Sequence, residues 1–426
     1  MLTRNRKSTL VPDLSELFAP VEPFGSIGIA VSGGPDSMAL MVLAATWAKT
    51  QTPSKRLFVY CVDHGLRPAA HEETSFVAKE AEKLSIPARV LKWEGEKPQT
   101  GIMAAARLAR YRLIGEAMLA DRAEVLLTAH HMNDQAETIL MRMAHGSGLA
   151  GLGGMDMFSQ VEGINICRPL LSVSPLVLAG VVADAGIVAV SDPSNADANY
   201  ERVRWRSMLP GLTDMGLGAE RFSLFGKRVR RADEALDVLA GAAFSQLANI
   251  DDLGVVKIGL GGLELQPDEL KVRLMQSALR IAGGNQKPFL LAPVEELVAQ
   301  VAMDQAFAKK TLFGCVIELR ANNIVFAREV ARVPSKPSFL MPGEAMVWDK
   351  RFEIENPSGS EKVEISSGLS LTREVVRSLI GEDREMPMAH VHAAPVIRDD
   401  AGGVLAIGCM VIEGETKLKI SQITDH

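Results

Sequence analysis

The sequence has few cysteines and no long apolar run. Its 426 residues include four cysteines and no Cys-x-x-Cys pair, so the usual motifs for a zinc knuckle, an iron–sulfur site or a redox pair are missing. No uninterrupted apolar stretch reaches about 18 residues, and we therefore expect no membrane span. The basic first residues are not followed by an apolar signal-peptide core, so the expected location is cytoplasmic.

The sequence also has no overall excess of Lys and Arg over Asp and Glu. The formal net charge is −6 at pH 7, which argues weakly against a nucleic-acid partner, although local basic patches matter more than the total. The length predicts two or three domains, and the 47% of hydrophobic residues is enough to build their cores.

The strongest chemical signal is the segment Ser32–Ser37, which reads Ser-Gly-Gly-Pro-Asp-Ser. It lies between a predicted buried strand, Ile27–Val31, and a predicted helix, Met38–Trp47. A glycine-rich turn at a helix N-terminus binds anions, because backbone N–H groups and the helix dipole converge there. The Gly-Lys-Ser/Thr ending of a Walker-type loop is absent.

The residue types within this segment favour a phosphate site with a metal. Gly33 and Gly34 let the backbone approach a phosphate closely, and Pro35 suits the first helical position. Because the carboxylate of Asp36 would repel phosphate, we interpret it as the ligand of a divalent metal that the phosphates share. The alternative is an ordinary strand-to-helix turn with Asp36 or Ser37 as its N-cap.

Strands and helices alternate after this segment, which predicts a parallel sheet covered on both faces. The predicted elements are strand Leu57–Val62, helix Ala70–Leu84, strand Ala88–Lys92, helix Ile102–Leu119 and strand Glu124–Ala129. Asp63 and His64 follow the first of these strands. Polar residues at the carboxyl ends of parallel strands line the ligand crevice of an open α/β sheet.

A second chemical segment runs from His130 to Thr138. Its helical pattern predicts an apolar stripe that faces the core, made by Ala136, Ile139, Leu140, Met143 and Ala144. Asp134 and Glu137 are three residues apart, so both carboxylates can point the same way. The alternative for these two acids is a solvated first helical turn that the dipole favours. The glycine-rich turn 146–154 is either a plain loop or a mobile segment near the site.

These segments together resemble the tRNA(Ile)-lysidine synthase family, and the Ser32–Ser37 loop resembles the PP-loop of N-type ATP-pyrophosphatases. The matching stretches follow the family's order over roughly residues 26–212. They are Ser32–Ser37, Val62–Arg67, Ala104–Tyr111, His130–Thr138, Gly146–Leu149, Arg168–Leu171 and Asp192–Pro210.

The resemblance implies a two-step ligation on the minor isoleucine tRNA with a CAU anticodon. ATP adenylates the C2 oxygen of the wobble cytidine and pyrophosphate leaves; the side-chain amine of L-lysine then attacks C2 and AMP leaves. ATP and Mg²⁺ are the implied cofactors. The implied catalytic residues are Asp36, His130, Asp134, Glu137 and Arg206, with Asp36 as the metal ligand. The expected ATP site is Ser32, Gly33, Gly34, Pro35, Asp36, Ser37, Asp63 and His64.

Three positions depart from the family pattern. The first of two paired aspartates is here Asn133, the asparagine of an Arg-Asn pair is here Val203, and an arginine before the Gly-Ser-Gly turn is here His145. Asn133 can form hydrogen bonds but cannot neutralise a cation. These changes alter details of the site and leave the implied class of reaction unchanged.

The expected architecture is a doubly wound, Rossmann-like α/β domain followed by a helical domain and a small α+β domain. We predict a PP-loop catalytic domain at 1–212 and two tRNA-binding domains at 213–332 and 338–426. A basic run lies near the start of the domain at 213–332, where it opens a predicted amphipathic helix, and it favours phosphate contact over a solvated helix face. It consists of Arg221, Lys227, Arg228, Arg230 and Arg231.

Three other functions compete with the ligation. A tRNA 2-thiolation enzyme would normally need catalytic or cluster cysteines, and an amidotransferase-type synthetase would need a glutaminase domain that is not evident. An inactive tRNA-binding homologue is supported only by Asn133 and Val203. The oligomeric state, including a homodimer, stays open.

Overall fold

The computed structural model describes residues 13–65, 70–95, 97–98, 100–190, 200–285, 289–302, 309–358, 360–381, 386–412 and 417–424. Leu66 and Arg67 of the second matching stretch lie outside these ranges, and so does Ser191–Asn195, whose Ser-Asp-Pro-Ser-Asn sequence predicts a turn. The chain divides into two compact units, one ending at Ala232 and the other beginning at Asp233. Within the described residues, every helix is too short or too polar to pass through a bilayer.

The first unit alternates strands and helices as the sequence predicts. Its strands are β1 Ser26–Ala30, β2 Arg56–Asp63, β3 Ala88–Lys92, β4 Val125–Leu127, β5 Phe158–Val161 and β6 Ile164–Cys167. Its helices are α1 Leu14–Phe18, α2 Pro35–Ala48, α3 Ala70–Lys83, α4 Ile102–Asp121, α5 Met132–Ala144, α6 Leu149–Leu152, α7 Pro175–Asp184 and α8 Glu201–Asp214. Helix α9, Ala219–Leu247, begins in this unit.

The six strands form one sheet in the order β3-β2-β1-β4-β6-β5. All neighbours are parallel except β5, which pairs antiparallel with β6. The strand order reverses between β1 and β4, because the chain first moves outward from β1 to β3 and then returns to the other side of β1. Ligands of open α/β sheets bind at this reversal, beyond the carboxyl ends of the strands.

Both faces of the central strand are covered. Ile27 and Ile29 face a core formed with α1, α2 and α7, while the ring of Tyr60 packs with α4 on the opposite face. A Cβ at Gly28 would lie 2.7 Å from the Tyr60 ring, so the strand approaches that side chain closely only because residue 28 is glycine. The predicted doubly wound fold is confirmed.

The first unit extends past the predicted boundary at residue 212. Phe222 of α9 packs in one small core with Ala136, Ile139 and Leu209. A fragment that ended near Pro210 would expose the apolar face of α5. The two predicted domain boundaries stay predictions, and the unit boundary near residue 232 is the better choice for any truncation.

The second unit contains three antiparallel sheets. The first follows the order β7-β8-β11-β10-β9 and is built from Ala248–Ile250, Val256–Gly259, Asn323–Arg328, Cys315–Arg320 and Lys310–Leu312. The second follows β12-β15-β16-β17-β18, with Ser338–Leu340, Val363–Ser367, Pro395–Arg398, Val404–Ile407 and Met410–Val411. The third follows β13-β14-β19, with Glu344–Trp348, Phe352–Asn356 and Lys419–Gln422.

In the described part of this unit, five helices accompany these sheets: α10 Leu260–Glu264, α11 Asp268–Gly283, α12 Leu291–Ala302, α13 Arg373–Ile380 and α14 Met388–His392. The region expected to be mainly helical therefore also carries a five-stranded sheet, which packs against α11 and α12 in one core. Its strands are short, and periodicity identifies short apolar strands poorly.

Candidate active site

The Ser32–Ser37 loop joins β1 to α2 and ends in a helix N-terminus without a side-chain cap. Gly34 is the N-cap residue, and Pro35 occupies the first helical position. Ser37 accepts a hydrogen bond from the backbone N–H of Ser32 at 3.2 Å and donates one to the carbonyl of Gly34 at 3.0 Å. These bonds hold the loop in a tight turn. The uncapped helix N-terminus leaves first-turn N–H groups to an anion.

Gly33 is the residue on which this loop conformation depends. Its φ of +86° lies in the left-handed region that glycine adopts without strain. Its carbonyl accepts a hydrogen bond from the N–H of Val190 at 3.0 Å, and a Cβ at this position would contact Val77 and Val190. The loop is therefore anchored from behind. A Cβ at Gly34 would meet nothing nearer than the Ser32 hydroxyl at 3.8 Å, so the loop is open at that residue.

His131 connects the loop to α5. Its Nε2 lies 3.5 Å from a carboxylate oxygen of Asp36, and its Nδ1 lies 3.5 Å from one of Asp134. His131 is also the N-cap of α5: its Nδ1 accepts from the N–H of Asn133, while its own N–H donates to Asp134 at 2.9 Å. One imidazole thus lies between the acid of the loop and the first acid of the second segment.

Asp134 and Glu137 are buried and paired with two arginines of α8. Arg202 donates to Asp134 at 2.8 Å and to Glu137 at 2.7 Å. Arg206 donates to Glu137 at 2.6 and 3.2 Å. Glu137 is fully buried, so the alternative of a solvated first turn does not describe it.

The charges around Asp134 determine its ionisation. Burial alone would raise its pKa, but the nearby His131 and Arg202, together with the hydrogen bond from the His131 N–H, outweigh burial and lower it. Asp134 is therefore a carboxylate at neutral pH. Arg206 has a raised pKa, chiefly because of its hydrogen bond to Glu137, and the charge of Asp36 contributes to that increase.

The two adjacent histidines differ in ionisation. Burial lowers the pKa of His130 to about 4, so its ring is neutral at pH 7, and its Nδ1 lies 2.9 Å from the hydroxyl of Thr128. Burial also favours the neutral ring of His131, but its hydrogen bond to Asp36 and the surrounding carboxylates outweigh it and raise the pKa above 6.5. His131 was not among the residues that the sequence singled out.

The ionisation of His131 predicts a pH-dependent contribution to stability. Because its pKa is raised in the folded state, this contribution is complete below the unfolded value of 6.5 and is lost as the pH rises through the raised value. We expect the stability difference between wild type and His131→Gln to be largest at pH 6 and to shrink toward pH 9. Urea unfolding at several pH values measures it. The same substitution at the exposed His71 is the control, and a difference that grows with pH would contradict the assignment.

Asp63 and His64 lie at the carboxyl end of β2, the strand beside β1. Asp63 accepts a hydrogen bond from the N–H of Gly65 at 2.8 Å. The Nε2 of His64 lies 3.2 Å from a guanidinium nitrogen of Arg110, and burial lowers the His64 pKa to about 4. Both residues are at the crevice edge that the sequence predicts, and their role in binding ATP stays a prediction.

The glycine-rich turn is tied down by polar side chains. Arg142 donates to the carbonyls of Gly151 and Gly154 at 2.7 and 2.6 Å. Gln135 exchanges two hydrogen bonds with the backbone of Met155. Arg230 donates to the carbonyls of Gly153 and Met155 and pairs with Asp156 at 3.0 Å. Arg230, which the sequence suggested as a phosphate contact, thus holds this turn in the structure.

A cavity of about 590 Å³ lies beside Arg206, the arginine that covers the acid pair Asp134 and Glu137. Its walls include Asn133 from α5, Arg206 and Leu209 from α8, and Glu220 and Arg221 from α9. This volume lies within the range of pockets for small ligands, about 300–1,000 Å³. The cavity therefore offers room for a small polar ligand next to the arginine that covers Glu137.

The residues present fit a magnesium ion that is shared with phosphates. Among the described residues, no group of three or more His, Cys, Asp or Glu side chains could hold a metal alone. Asp36 offers one carboxylate, 37% exposed, at the mouth of the phosphate loop. Mg²⁺ is commonly held by one or two carboxylates together with substrate phosphates and water. Asp36 would be its protein ligand here.

Comparisons with known sequences identify the family of this chain. A family model described as a PP-loop domain matches residues 7–212. A tRNA(Ile)-lysidine synthase of Bradyrhizobium diazoefficiens is 39% identical over 343 residues, which is 75% of this chain and 94% of that protein. One from Rhodopseudomonas palustris is 40% identical over 75% of this chain and 94% of its own length. The chain belongs to the tRNA(Ile)-lysidine synthase family. A structure of the U34-tRNA thiolase NcsA from Methanococcus maripaludis with its [4Fe-4S] cluster aligns with this chain with a TM-score of 0.44 and 14% sequence identity. The alignment covers 51% of this chain and 77% of the thiolase chain.

Two of the three departures from the family pattern have clear structural settings. Asn133 lines the cavity, and its N–H contributes to the cap of α5. His145 ends α5, and its Nε2 lies 3.1 Å from a carboxylate oxygen of Glu201 in the first turn of α8. Val203 is half-buried on α8, and nothing in the structure explains this substitution.

Arg202 is the main residue of the site that the sequence did not reveal. The sequence marked it only as the arginine of the family's Arg-Asn pair, here Arg202-Val203, although it lies four residues before Arg206 and therefore on the same helix face. That spacing was a usable signal. Its carboxylate partners lie 65 and 68 residues away in sequence, and only the packing of α8 on α5 brings them together.

Proposed function

We propose that this protein joins L-lysine to C2 of the wobble cytidine of the minor isoleucine tRNA with a CAU anticodon, using ATP and releasing AMP and pyrophosphate. One observation carries the proposal. The phosphate loop and the acid pair meet at the reversal of the sheet, on either side of the His131 ring. A site for an anionic leaving group and a site for an amine thus lie side by side.

The loop serves the first step. The C2 oxygen of cytidine attacks the α-phosphorus of ATP, a C2–O–P bond forms, and the bond to the β-phosphate breaks. The leaving pyrophosphate is stabilised by the N-terminus of α2 and the backbone at Gly33 and Gly34. Mg²⁺, when bound at Asp36, supplies positive charge to the phosphates.

The acid pair serves the second step. The lysine amine attacks C2, a C–N bond forms, and the bond from C2 to the AMP oxygen breaks. Asp134 and Glu137 hold the ammonium before it loses a proton. His131 lies beside Asp134 and is the more basic of the two histidines, because its pKa is raised above 6.5 whereas burial lowers that of His130 to about 4.

The cysteines argue against sulfur transfer. Cys61, Cys167 and Cys315 are buried and Cys409 is half-buried. Burial raises the pKa of the first three thiols to about 12 and that of Cys409 to about 11. A 2-thiolation enzyme needs reactive thiolates or cluster ligands, and these four residues do not provide them.

Product analysis with a tRNA transcript tests the proposed ligation. We expect AMP and pyrophosphate to form only when ATP, lysine and a wobble cytidine are present together. The matched control is the same transcript with uridine at the wobble position. Binding of tRNA without any ATP cleavage would instead support the inactive homologue.

The exposed basic residues of α9 are the proposed phosphate contacts for tRNA. Lys227, Arg228 and Arg231 are exposed, whereas Arg230 is committed to the glycine-rich turn. Since the chain has a net charge of −6, RNA must find a local positive surface. An amphipathic helix that presents these exposed cations is such a surface.

Replacing Lys227, Arg228 and Arg231 with alanine should make tRNA binding less dependent on salt. Each lost phosphate contact lowers the slope of log K against log salt by about one, so the triple variant should lose up to about three. Affinities across a salt series measure this. The control removes three exposed lysines, Lys49, Lys79 and Lys83. Equal slopes for wild type and the α9 variant would show that this helix face is only solvated.

A further inference from the structure

Every carboxylate oxygen of the acid pair already has a partner. In Glu137, Oε1 accepts from Arg206 at 2.6 Å and Oε2 accepts from Arg202 at 2.7 Å. In Asp134, Oδ1 accepts from Arg202 at 2.8 Å and Oδ2 from the N–H of His131 at 2.9 Å. Glu137 is fully buried. A lysine ammonium therefore cannot reach Glu137 while both arginines stay in place.

The balance of charge also argues against a lysine ammonium at Glu137 while both arginines are present. Two carboxylates face two guanidinium groups, so the four side chains together are neutral. Adding an ammonium would leave an uncompensated positive charge beside a buried group, which is unfavourable. The ammonium of a substrate can bind these two acids in place of an arginine, but it cannot bind there while both arginines remain.

A phosphate group at the neighbouring Ser32–Ser37 loop is an alternative partner for the two arginines. Asp134 and the phosphate-loop residue Asp36 lie on opposite sides of the His131 ring, each 3.5 Å from one of its nitrogens. The side chains of Arg202 and Arg206 are 38% and 44% exposed, so each is partly open to solvent. Arg206 also lines the 590 Å³ cavity, which gives its side chain space to move. Guanidinium groups bind phosphate in the same bidentate manner as carboxylate.

We propose that Arg202, together with Arg206, occupies the ammonium site of the free enzyme and leaves it when a phosphate group binds. Arg202 is thus a positioning residue that makes lysine binding follow phosphate binding. The phosphate comes from ATP in the loop or from the tRNA backbone. This inference rests on the proposed ligation, and it adds an order of binding that the ligation itself does not require.

Lysine binding to the wild-type protein tests the order directly. The dissociation constant of lysine is measured by equilibrium dialysis for the free protein, with a non-hydrolysable ATP analogue and Mg²⁺, with tRNA transcript, and with both. If less than about a tenth of the free protein has an open ammonium site, the apparent affinity of the free protein for lysine should be at least about tenfold weaker than that of the phosphate-bound protein. The ATP analogue and the tRNA transcript, each added alone, show which of them supplies the phosphate that releases the arginines. Equal lysine affinity in all four states would overturn the inference.

Two substitutions at Arg202 separate a competing cation from a structural residue. Arg202→Gln should bind lysine more tightly than wild type in the free state, because one competitor is gone. Arg202→Lys should keep the weak binding of the free wild type, because an ammonium remains at the acids. A merely structural role would make Arg202→Gln weaker instead, which would contradict the inference.

A control and a second variant complete the design. Arg112→Gln also breaks an arginine–carboxylate pair, with Glu116 on α4, and should leave lysine affinity unchanged. If Arg202→Gln does not fold, Arg206→Gln should show the same tightening. Lysine-dependent AMP release with unchanged lysine affinity in every phosphate state would refute the order of binding and leave the ligation intact. Absence of lysine-dependent AMP release would refute the ligation itself.

Discussion

We expect Asp36→Asn to slow pyrophosphate release by about a hundred- to a thousandfold, the loss that follows removal of one charge-stabilising group from an active site. Asp36 offers the one carboxylate in the Ser32–Ser37 loop, and it faces His131 at 3.5 Å. An amide cannot hold a divalent cation against the phosphates with comparable strength. Affinity for tRNA should stay nearly unchanged, because Asp36 lies in the nucleotide loop.

Single-turnover pyrophosphate release measures this effect. The matched control is Asp268→Asn, which removes an exposed first-turn acid from α11. A second readout is the pKa of His131, followed by NMR. Burial lowers this pKa and the hydrogen bond to Asp36 raises it, so the variant should titrate at lower pH. Pyrophosphate release at the wild-type rate would remove Asp36 from the reaction.

We expect Glu137→Gln to raise the lysine requirement at least about tenfold, or about 1.4 kcal/mol, the scale of one charged hydrogen bond. The same change should destabilise the fold by about 2–3 kcal/mol. A fully buried ion pair that loses one partner costs about 3–5 kcal/mol, and the partial exposure of both arginines reduces that loss. Pyrophosphate release in the first step should change much less.

Steady-state kinetics over a lysine series and urea unfolding measure the two effects separately. Glu116→Gln is the control, because Glu116 also pairs with an arginine but is 61% exposed. Its effect on stability should stay within about 1 kcal/mol. If Glu137→Gln lost stability with an unchanged lysine requirement, Glu137 would serve only to anchor α8 on α5.

Much of the first unit follows from local sequence patterns. The strand before Ser32 and the helix after Pro35 were predicted within a few residues, because an apolar run, two glycines and a proline mark their ends. The stripe on α5 was only half right. Ala136 and Ile139 are buried as predicted, but Met143 and Ala144 are exposed. The side chains that pack on this face, Leu209 and Phe222, cover its N-terminal half.

The candidate site was predictable in its residue types and less so in its contacts. Asp36 stood out because it lies in a predicted phosphate loop, whereas Asp134 and Glu137 were singled out by their spacing together with the resemblance to the family. Arg230 looked like an RNA contact because it lies in a basic run, and a run of like charges does not show which member faces inward. In the structure Arg230 turns toward the carbonyls of Gly153 and Met155.

The sequence by itself determined the class of fold, the phosphate loop and the acids beside it, because each depends on residues that are neighbours along the chain. Turn conformation, helix capping and apolar periodicity are local properties, and Gly33, Pro35 and the spacing of Asp134 and Glu137 express them directly. Only the tertiary structure decided which cations neutralise those acids. Arg202 and Arg206 reach Glu137 from 65 and 69 residues away because α8 packs across α5. Burial then makes this pairing strong, since a carboxylate removed from water must be matched by charge from whichever element covers it.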